Sequence, residues 1–412
     1  MSFKSIDDAV NWLEYQPRFK ERESLDLLEK IFNSFNISFL NTKKIHVLGT
    51  NGKGSVVAFV TSVLVGNNLK VGTFVSPYLV KFNERIKLNN IDISDSILLH
   101  YINKFYDIQE QIFNDFSYRL SFFEILTMIS LMYFSDENVD VIVMEAGIGG
   151  RLDATNILEY DATVITSIGF DHMDKLGNTL LEIGNEKLQA LKPGGLLISA
   201  VEGDLKIFYI NYANKIKAKH TFVKKRDIFA ISPYSFYYKD LFFELKMLGD
   251  YQRLNAVLAY LTIKSIFNLS DNMILPYLKN TFWPGRFEEV KKDIFIDGAH
   301  NISAMTELMK NINYIFKDKK IIVLFSALKD KKIKEMLEII SEYGYEVILT
   351  SFPELRFQSL KSFGNEKTKY IENGYQVFKE IVNKKETNEV IIVTGSLHFI
   401  GYIKQNILKD VF

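Results

Sequence analysis

The stretch Ile45-His46-Val47-Leu48-Gly49-Thr50-Asn51-Gly52-Lys53-Gly54-Ser55 reads as a buried strand entering a glycine-rich turn, and Val56 onward reads as a helix. Strand, tight turn and helix N-terminus in that order make a cradle for an anion, because several backbone N–H groups then face one point. In such a cradle Lys53 offsets the charge of β- and γ-phosphates, and Ser55 offers a hydroxyl to phosphate or magnesium. The spacing differs from the standard phosphate loop: two residues separate Gly49 from Gly52, and Gly54 stands between Lys53 and Ser55.

Outward from that loop, the chain alternates apolar runs with helical patterns. Val71 to Val75 reads as a strand ending at Ser76-Pro77; a proline cannot extend a central strand, which puts Ser76 at a carboxyl end, where open α/β sheets bind ligands. Phe82-Asn83-Glu84-Arg85-Ile86 reads as a charged loop, and Ser94 to Phe113 and Ser121 to Phe134 as helices, the second opening with the capping-box spacing Ser121–Glu124. Val139 to Met144 is a nearly all-apolar strand that stops at Glu145, before Ala146-Gly147-Ile148-Gly149-Gly150-Arg151. An acid there, near a phosphate loop, suits a nucleotide's magnesium, and the glycines imply close backbone approach. Ala162 to Ile168 is a further strand, with His172 just past its end. Thr179 to Leu191 reads as a helix on which side-chain chemistry alone makes Lys187 an exposed lysine.

Near the N-terminus, residues 5–15 and 25–32 have helical spacing, and Pro17-Arg18-Phe19-Lys20-Glu21-Arg22 between them reads as a basic, solvated loop or as a wall for an acidic aromatic ligand. Residues 222–247 are dense in Phe and Tyr and read as strands; a helix opening near Leu248 runs to Phe267, and Thr281-Phe282-Trp283-Pro284-Gly285-Arg286-Phe287 has the breakers of a domain joint. Beyond it strands are expected at 293–296, 321–325, 346–349 and 390–393, and three of them close on polar residues: Asp297-Gly298-Ala299-His300-Asn301, Ser326 to Lys331, and Thr394-Gly395-Ser396-Leu397-His398. The expected fold is α/β: a large phosphate-loop-type doubly wound domain, residues 1–284, then a smaller Rossmann-like domain, residues 285–412.

Composition narrows the chemistry. The 412 residues carry 50 Lys plus Arg against 50 Asp plus Glu, so no net field favours nucleic acid or an anionic membrane. Zero cysteines exclude disulfides, thiolate nucleophiles and Cys-ligated metals. No run approaches the roughly 18 apolar residues of a membrane span, and the first residues lack a signal peptide's basic and apolar parts. The expectation is a soluble, cytoplasmic chain.

Taken together, the glycine loop, Ser76-Pro77, Glu145 with Gly149 to Asn156, Thr166 to Gly169 with Asp171-His172, Pro284 to Phe287, and Asp297 to Asn301 resemble the Mur ligase superfamily, and within it the folylpolyglutamate synthase and dihydrofolate synthase family. The resemblance covers nearly the whole chain. It implies a monomer acting on small molecules, an ATP-dependent ligase that adds L-glutamate to dihydropteroate, to reduced folates, or to both, through an acyl phosphate. A single-activity synthase or another Mur-type ligase is the alternative reading, and a nucleotide-dependent switch a more distant one.

Residue by residue, Thr50, Asn51, Gly52, Lys53, Gly54 and Ser55 resemble the family's ATP loop, while Asn255, Arg286 and Asp297 resemble further nucleotide contacts. His300 resembles the residue guiding the phosphoryl group. Ser76, Glu145 and His172 resemble ligands of two Mg²⁺ ions, and Lys187 resembles a carbamylated lysine completing that set. The family context of that lysine is Arg-Glu-Lys followed by Ala-Gly; here it is Asn185-Glu186-Lys187-Leu188-Gln189. On the substrate side, Ser121, Phe123, Arg151 and Asp153 resemble pterin-pocket positions, Arg18, Phe19 and Lys20 the N-terminal substrate loop, and Gly395 and Ser396 the segment near the glutamyl end.

Overall fold

The computed structural model describes residues 3–18, 20, 22–364 and 368–410, which fall into two compact units. The first runs up to Ile228 and includes Leu254–Asn280. The second comprises Phe229–Arg253 and the residues from Thr281 onward.

In the first unit the strands are β1 (Lys43–Leu48), β2 (Val71–Phe74), β3 (Ile86–Leu88), β4 (Ile91–Asp92), β5 (Val141–Glu145), β6 (Ala162–Ile165), β7 (Leu196–Ser199) and β8 (Lys219–Phe222). Among the described residues they form one sheet in the order β4-β3-β2-β5-β1-β6-β7-β8. From β2 to β8 every pairing is parallel, whereas β3 and β4 fold back antiparallel at the edge. β5 is buried along its whole length, as its unbroken apolar run requires of a strand covered on both faces. The helix Lys53–Gly66 is apolar all round and almost wholly buried. The sheet covers one side of it; on another, Asn67 Nδ2 donates to the Met273 carbonyl at 2.8 Å, and Tyr277 lies where a side chain on Gly66 would project.

The order β2-β5-β1-β6 has one consequence for the site. These four neighbouring parallel strands end at the same rim, so Ser76, Glu145, the Gly49–Ser55 turn and Thr166 are delivered side by side. The segment expected as a charged loop at 82–86 is instead a 3₁₀ turn, Phe82–Arg85, leading directly into β3. The Val75 N–H donates to the Arg85 carbonyl at 2.9 Å, which extends the β2–β3 pairing past the end of β2.

In the second unit β9 (Ile228–Ser232), β10 (Ser235–Tyr238) and β11 (Leu241–Glu244) form a three-stranded sheet. A second sheet of β12 (Glu288–Lys291), β13 (Ile294–Ile296), β14 (Lys320–Phe325), β15 (Glu346–Thr350), β16 (Thr368–Ile371) and β17 (Glu389–Thr394) has the order β12-β13-β17-β14-β15-β16. It is parallel except for β12. This division differs from the expected boundary after residue 284 mainly in one segment. The segment Phe229–Arg253 belongs to the second unit, because the Asp250 N–H donates to Asn311 Oδ1 at 2.8 Å and the Tyr251 hydroxyl to Asp297 Oδ2 at 3.3 Å.

Candidate active site

The glycine turn is braced from β6. The Thr50 N–H donates to the Ser167 carbonyl at 2.8 Å, the Asn51 N–H to Ser167 Oγ at 3.0 Å, and Thr166 Oγ1 to the Asn51 carbonyl at 2.5 Å. Thr50 Oγ1 accepts the Gly169 N–H at 3.0 Å. These contacts explain both glycines that leave ordinary φ space: Gly49, at φ 145°, has Thr166 Oγ1 only 1.9 Å from where a Cβ would lie. Gly52, at φ 88°, caps the helix and has Asn255 Oδ1 2.6 Å from its missing Cβ. The structure thus brings Asn255 against the turn. Lys53 is half-buried, with Nζ donating to the Gly49 and Thr50 carbonyls at 3.1 and 3.3 Å, while Gly54 and Ser55 are buried at the helix start.

One strand over, the Ser76 N–H donates to Glu145 Oε2 at 3.2 Å, so the ends of β2 and β5 meet as expected. Glu145 is buried, and His172, half-buried, stands at φ 50° before the short helix Met173–Leu176. Among the described residues no three His, Asp or Glu side chains are grouped to hold a metal. The expected set instead pairs a carboxylate and a hydroxyl, hard oxygen donors of the kind Mg²⁺ takes, with a histidine and a lysine.

Lys187 is not the exposed lysine that its own chemistry suggests. It is 5% exposed, because the helix Leu180–Leu188 packs against Gly150 so closely that a Cβ there would meet the Lys187 backbone at 2.9 Å. Burial first, and the charge of Lys53 second, push its amine down to about 7, against the opposing pull of Asp153, Asp171 and Glu186. The same contact accounts for the glycine run. What approaches the backbone closely is protein: Lys187 and Leu48 at Gly150, and the Phe123 ring at Gly147.

The loop after β5 is held by a buried relay. Asp153 accepts N–H groups from Ile148 and Thr155 at 2.9 and 3.0 Å, and the Thr155 hydroxyl at 2.6 Å. Since that hydroxyl gives its proton to Asp153, His46 Nε2, 2.8 Å away, is the donor to it. His46 is stacked on Tyr160 and kept neutral by burial, which lowers it to about 3. Burial pushes the Asp153 carboxyl up. Arg151 bonds Glu186 Oε2 at 3.2 Å and the Glu23 carbonyl at 3.3 Å.

The basic N-terminal loop is anchored rather than loose. Arg22 pairs with the buried Glu124 at 2.7 Å, the Pro17 carbonyl accepts the Phe122 N–H at 2.9 Å, and Lys20 donates to the Arg119 carbonyl. Glu124 also accepts the Ser121 N–H at 2.5 Å, as the capping box requires. The loop therefore lies against the turn that carries Ser121 and Phe123. Arg18 is exposed, and Phe19 lies outside the described residues.

In the second unit, β13, β17 and β14 end side by side. The Gly395 N–H donates to the Ala299 carbonyl at 3.1 Å, and the Ser326 N–H to the Thr394 carbonyl at 3.2 Å. Gly395, at φ 106°, has the Ser326 carbonyl 2.5 Å from its missing Cβ, and Ser396 is buried beside it. Buried Asp297 accepts the Phe287 and Ala299 N–H groups at 2.8 Å each. Desolvation raises its carboxyl despite nearby Arg286, whose guanidinium lies 2.9 Å from where a Gly298 Cβ would be. His300 Nδ1 is 2.8 Å from the Gly298 carbonyl, an acceptor only, so Nδ1 carries a proton. Tyr251 is a member of this cluster that the sequence did not reveal; its hydroxyl meets Asp297 from a segment about 45 residues upstream, and only the fold joins them.

Comparison with known proteins bears on the whole chain. The Mur ligase middle domain matches residues 47–263, and the Mur ligase glutamate ligase domain matches residues 285–397. The dihydrofolate synthase/folylpolyglutamate synthase of Bacillus subtilis is 32% identical over 98% of this chain and 100% of its own length. A bifunctional folylpolyglutamate synthase/dihydrofolate synthase from Yersinia pestis, solved with AMPPNP and Mn, is 25% identical, with a TM-score of 0.87 over 98% of each chain. The folylpolyglutamate synthase of Thermotoga maritima is 26% identical, with a TM-score of 0.85 over 98% of this chain and 97% of its own. With two Mur ligase domains in sequence order and a full-length relative at this identity, the chain belongs to the dihydrofolate synthase/folylpolyglutamate synthase family of ATP-dependent Mur-type ligases.

Proposed function

We propose that this chain uses ATP to activate the carboxylate of a pteridine-containing acid, dihydropteroate or a reduced folate, and joins it to the amino group of L-glutamate. The observation that carries the reading is the rim of the first unit, where the phosphate-type turn, Ser76 with Glu145, and buried Lys187 come from adjacent strands and one packed helix.

The chemistry follows from what a carboxylate lacks. It is a poor electrophile, and transfer of ATP's γ-phosphoryl to one of its oxygens gives it a leaving group. The glutamate amine then attacks the acyl carbon, and phosphate departs as the amide forms. In this reading the turn's N–H groups and Lys53 hold the phosphates, with Asn255, Arg286 and Asp297 as further nucleotide contacts. Mg²⁺, when bound, offsets charge on the transferring phosphoryl group. Ser76, Glu145, His172 and Lys187 are the residues we assign to hold two such ions, Lys187 as its carbamate. The support for that last assignment is chemical: an amine lowered to about 7 is substantially neutral near pH 7, and only the neutral amine adds to CO₂, losing a proton to leave an N-carboxylate. His300, whose Nδ1 is held by the Gly298 carbonyl, is the residue we assign to guide the phosphoryl group.

Ser121, Phe123, Arg151 and Asp153 are assigned to the pterin end, with Arg18, Phe19 and Lys20 as the substrate loop and Gly395 and Ser396 at the glutamyl end. Asp153 acts there mainly through the loop it holds, since both of its oxygens already accept hydrogen bonds. Among the described residues no helix is long and apolar enough to cross a membrane. ADP release should require both a pteroate-type acid and L-glutamate. Release at the full rate with either one missing would contradict a ligase and favour a nucleotide switch.

A further inference from the structure

Arg85 is a buried cation that the site described so far does not use. It is 9% exposed, and its guanidinium lies 5.0 Å from the Tyr78 ring centre, 5.5 Å from Phe82 and 5.3 Å from Phe122. Its Nε has no hydrogen-bond partner, and no carboxylate forms an ion pair with it, among the described residues. Aromatic faces attract a cation. They leave the buried Nε–H unsatisfied, however, and a buried donor of a charged group without an acceptor is costly. Burial lowers the group to about 10, leaving it a cation at neutral pH.

Its position says which anion would complete it. The Arg85 carbonyl is tied to Val75, next to Ser76 and hence to Glu145. The Phe122 ring against the guanidinium stands between Ser121 and Phe123 in the chain, at the turn assigned to the pterin end. On that assignment Arg85 stands between the pterin end and the rim that carries Ser76 and Glu145. The phosphate turn, on β1, is separated from β3 by β2 and β5, so ATP belongs to a different part of the rim.

We propose that Arg85 recognises the carboxylate of the acid substrate, with Tyr78, Phe82 and Phe122 holding the guanidinium ready for it. This rests on the proposed acid substrate. A planar guanidinium offers two parallel N–H groups to a carboxylate, which fixes its direction as well as its charge.

The test is binding of dihydropteroate and of its neutral carboxamide, followed by ligand fluorescence without nucleotide or Mg²⁺, so that no metal contributes. Wild-type protein should bind the acid at least about 10-fold more tightly than the carboxamide, as expected when a charged hydrogen-bonded pair is desolvated. R85M should lose that preference by weakening the acid alone, with carboxamide affinity within about twofold of wild type, and R85K should fall between. Equal binding of acid and carboxamide by wild-type protein would overturn the proposal whatever the variants do, while leaving the proposed function standing. R85M weakening both ligands equally would make Arg85 a structural staple and also overturn it. Failure of wild type to bind either ligand would remove the proposal together with the acid substrate.

Discussion

Lys187→Ala is expected to lower ligase turnover by about 100- to 1,000-fold, the scale on which a single group stabilising transferred charge acts. An ammonium facing Mg²⁺ repels it, whereas a carbamate supplies oxygen ligands. The burial that lowers this amine to about 7 is what makes the carbamate accessible near neutral pH. The sign of the pH dependence follows: above about 7 the amine is increasingly neutral and can take up CO₂, and below it protonation removes the nucleophile. Activity should fall as pH drops through that value, and bicarbonate should oppose the fall. Acetate at high concentration should restore part of the activity of Lys187→Ala. Lys187→Arg should stay inactive, because its charge cannot be converted. Near-normal turnover of the arginine variant would show that the lysine acts as a cation, and a ¹³C carbamate resonance absent from wild-type protein in labelled bicarbonate would count the same way.

Lys53→Ala should reduce turnover by a similar factor while costing only about 1 kcal/mol of stability, since the half-buried ammonium makes hydrogen bonds only to the Gly49 and Thr50 carbonyls. A second effect is specific to this structure. Lys53 is the charge that, after burial, does most to lower the Lys187 amine. Its removal should raise that amine's pKa and reduce the carbamate fraction at pH 7. Urea denaturation and the carbamate resonance separate the two consequences. An unchanged rate of ATP turnover in Lys53→Ala would move the phosphate site away from this turn.

The frame of the fold was legible in the chain because its central parallel strands are covered on both faces. Val141–Glu145 is buried at every position and so reads as one apolar run ended by an acid. Edge strands carry no such signal. Ile91–Asp92, Glu288–Lys291 and Thr368–Ile371 are short and partly polar, and nothing local separates them from loops. Lys187 illustrates the same limit at the site: only the packing of its helix on Gly150, more than thirty residues earlier, turns a surface residue into a buried one. Arg85 sat within a loop of charged residues, and the three rings around it come from positions 78, 82 and 122, which no spacing rule connects. The assignment of Phe229–Arg253 to the second unit likewise rests on Tyr251 and Asp250 reaching Asp297 and Asn311.

The most direct test of the central claim is mass analysis of the products formed by purified protein with ATP, Mg²⁺ and L-glutamate, offered dihydropteroate and tetrahydrofolate in separate reactions. The account predicts, for at least one of the two acids, a product heavier by one glutamyl residue, formed in step with ADP and phosphate. ATP consumed with no glutamylated product from either acid would contradict it.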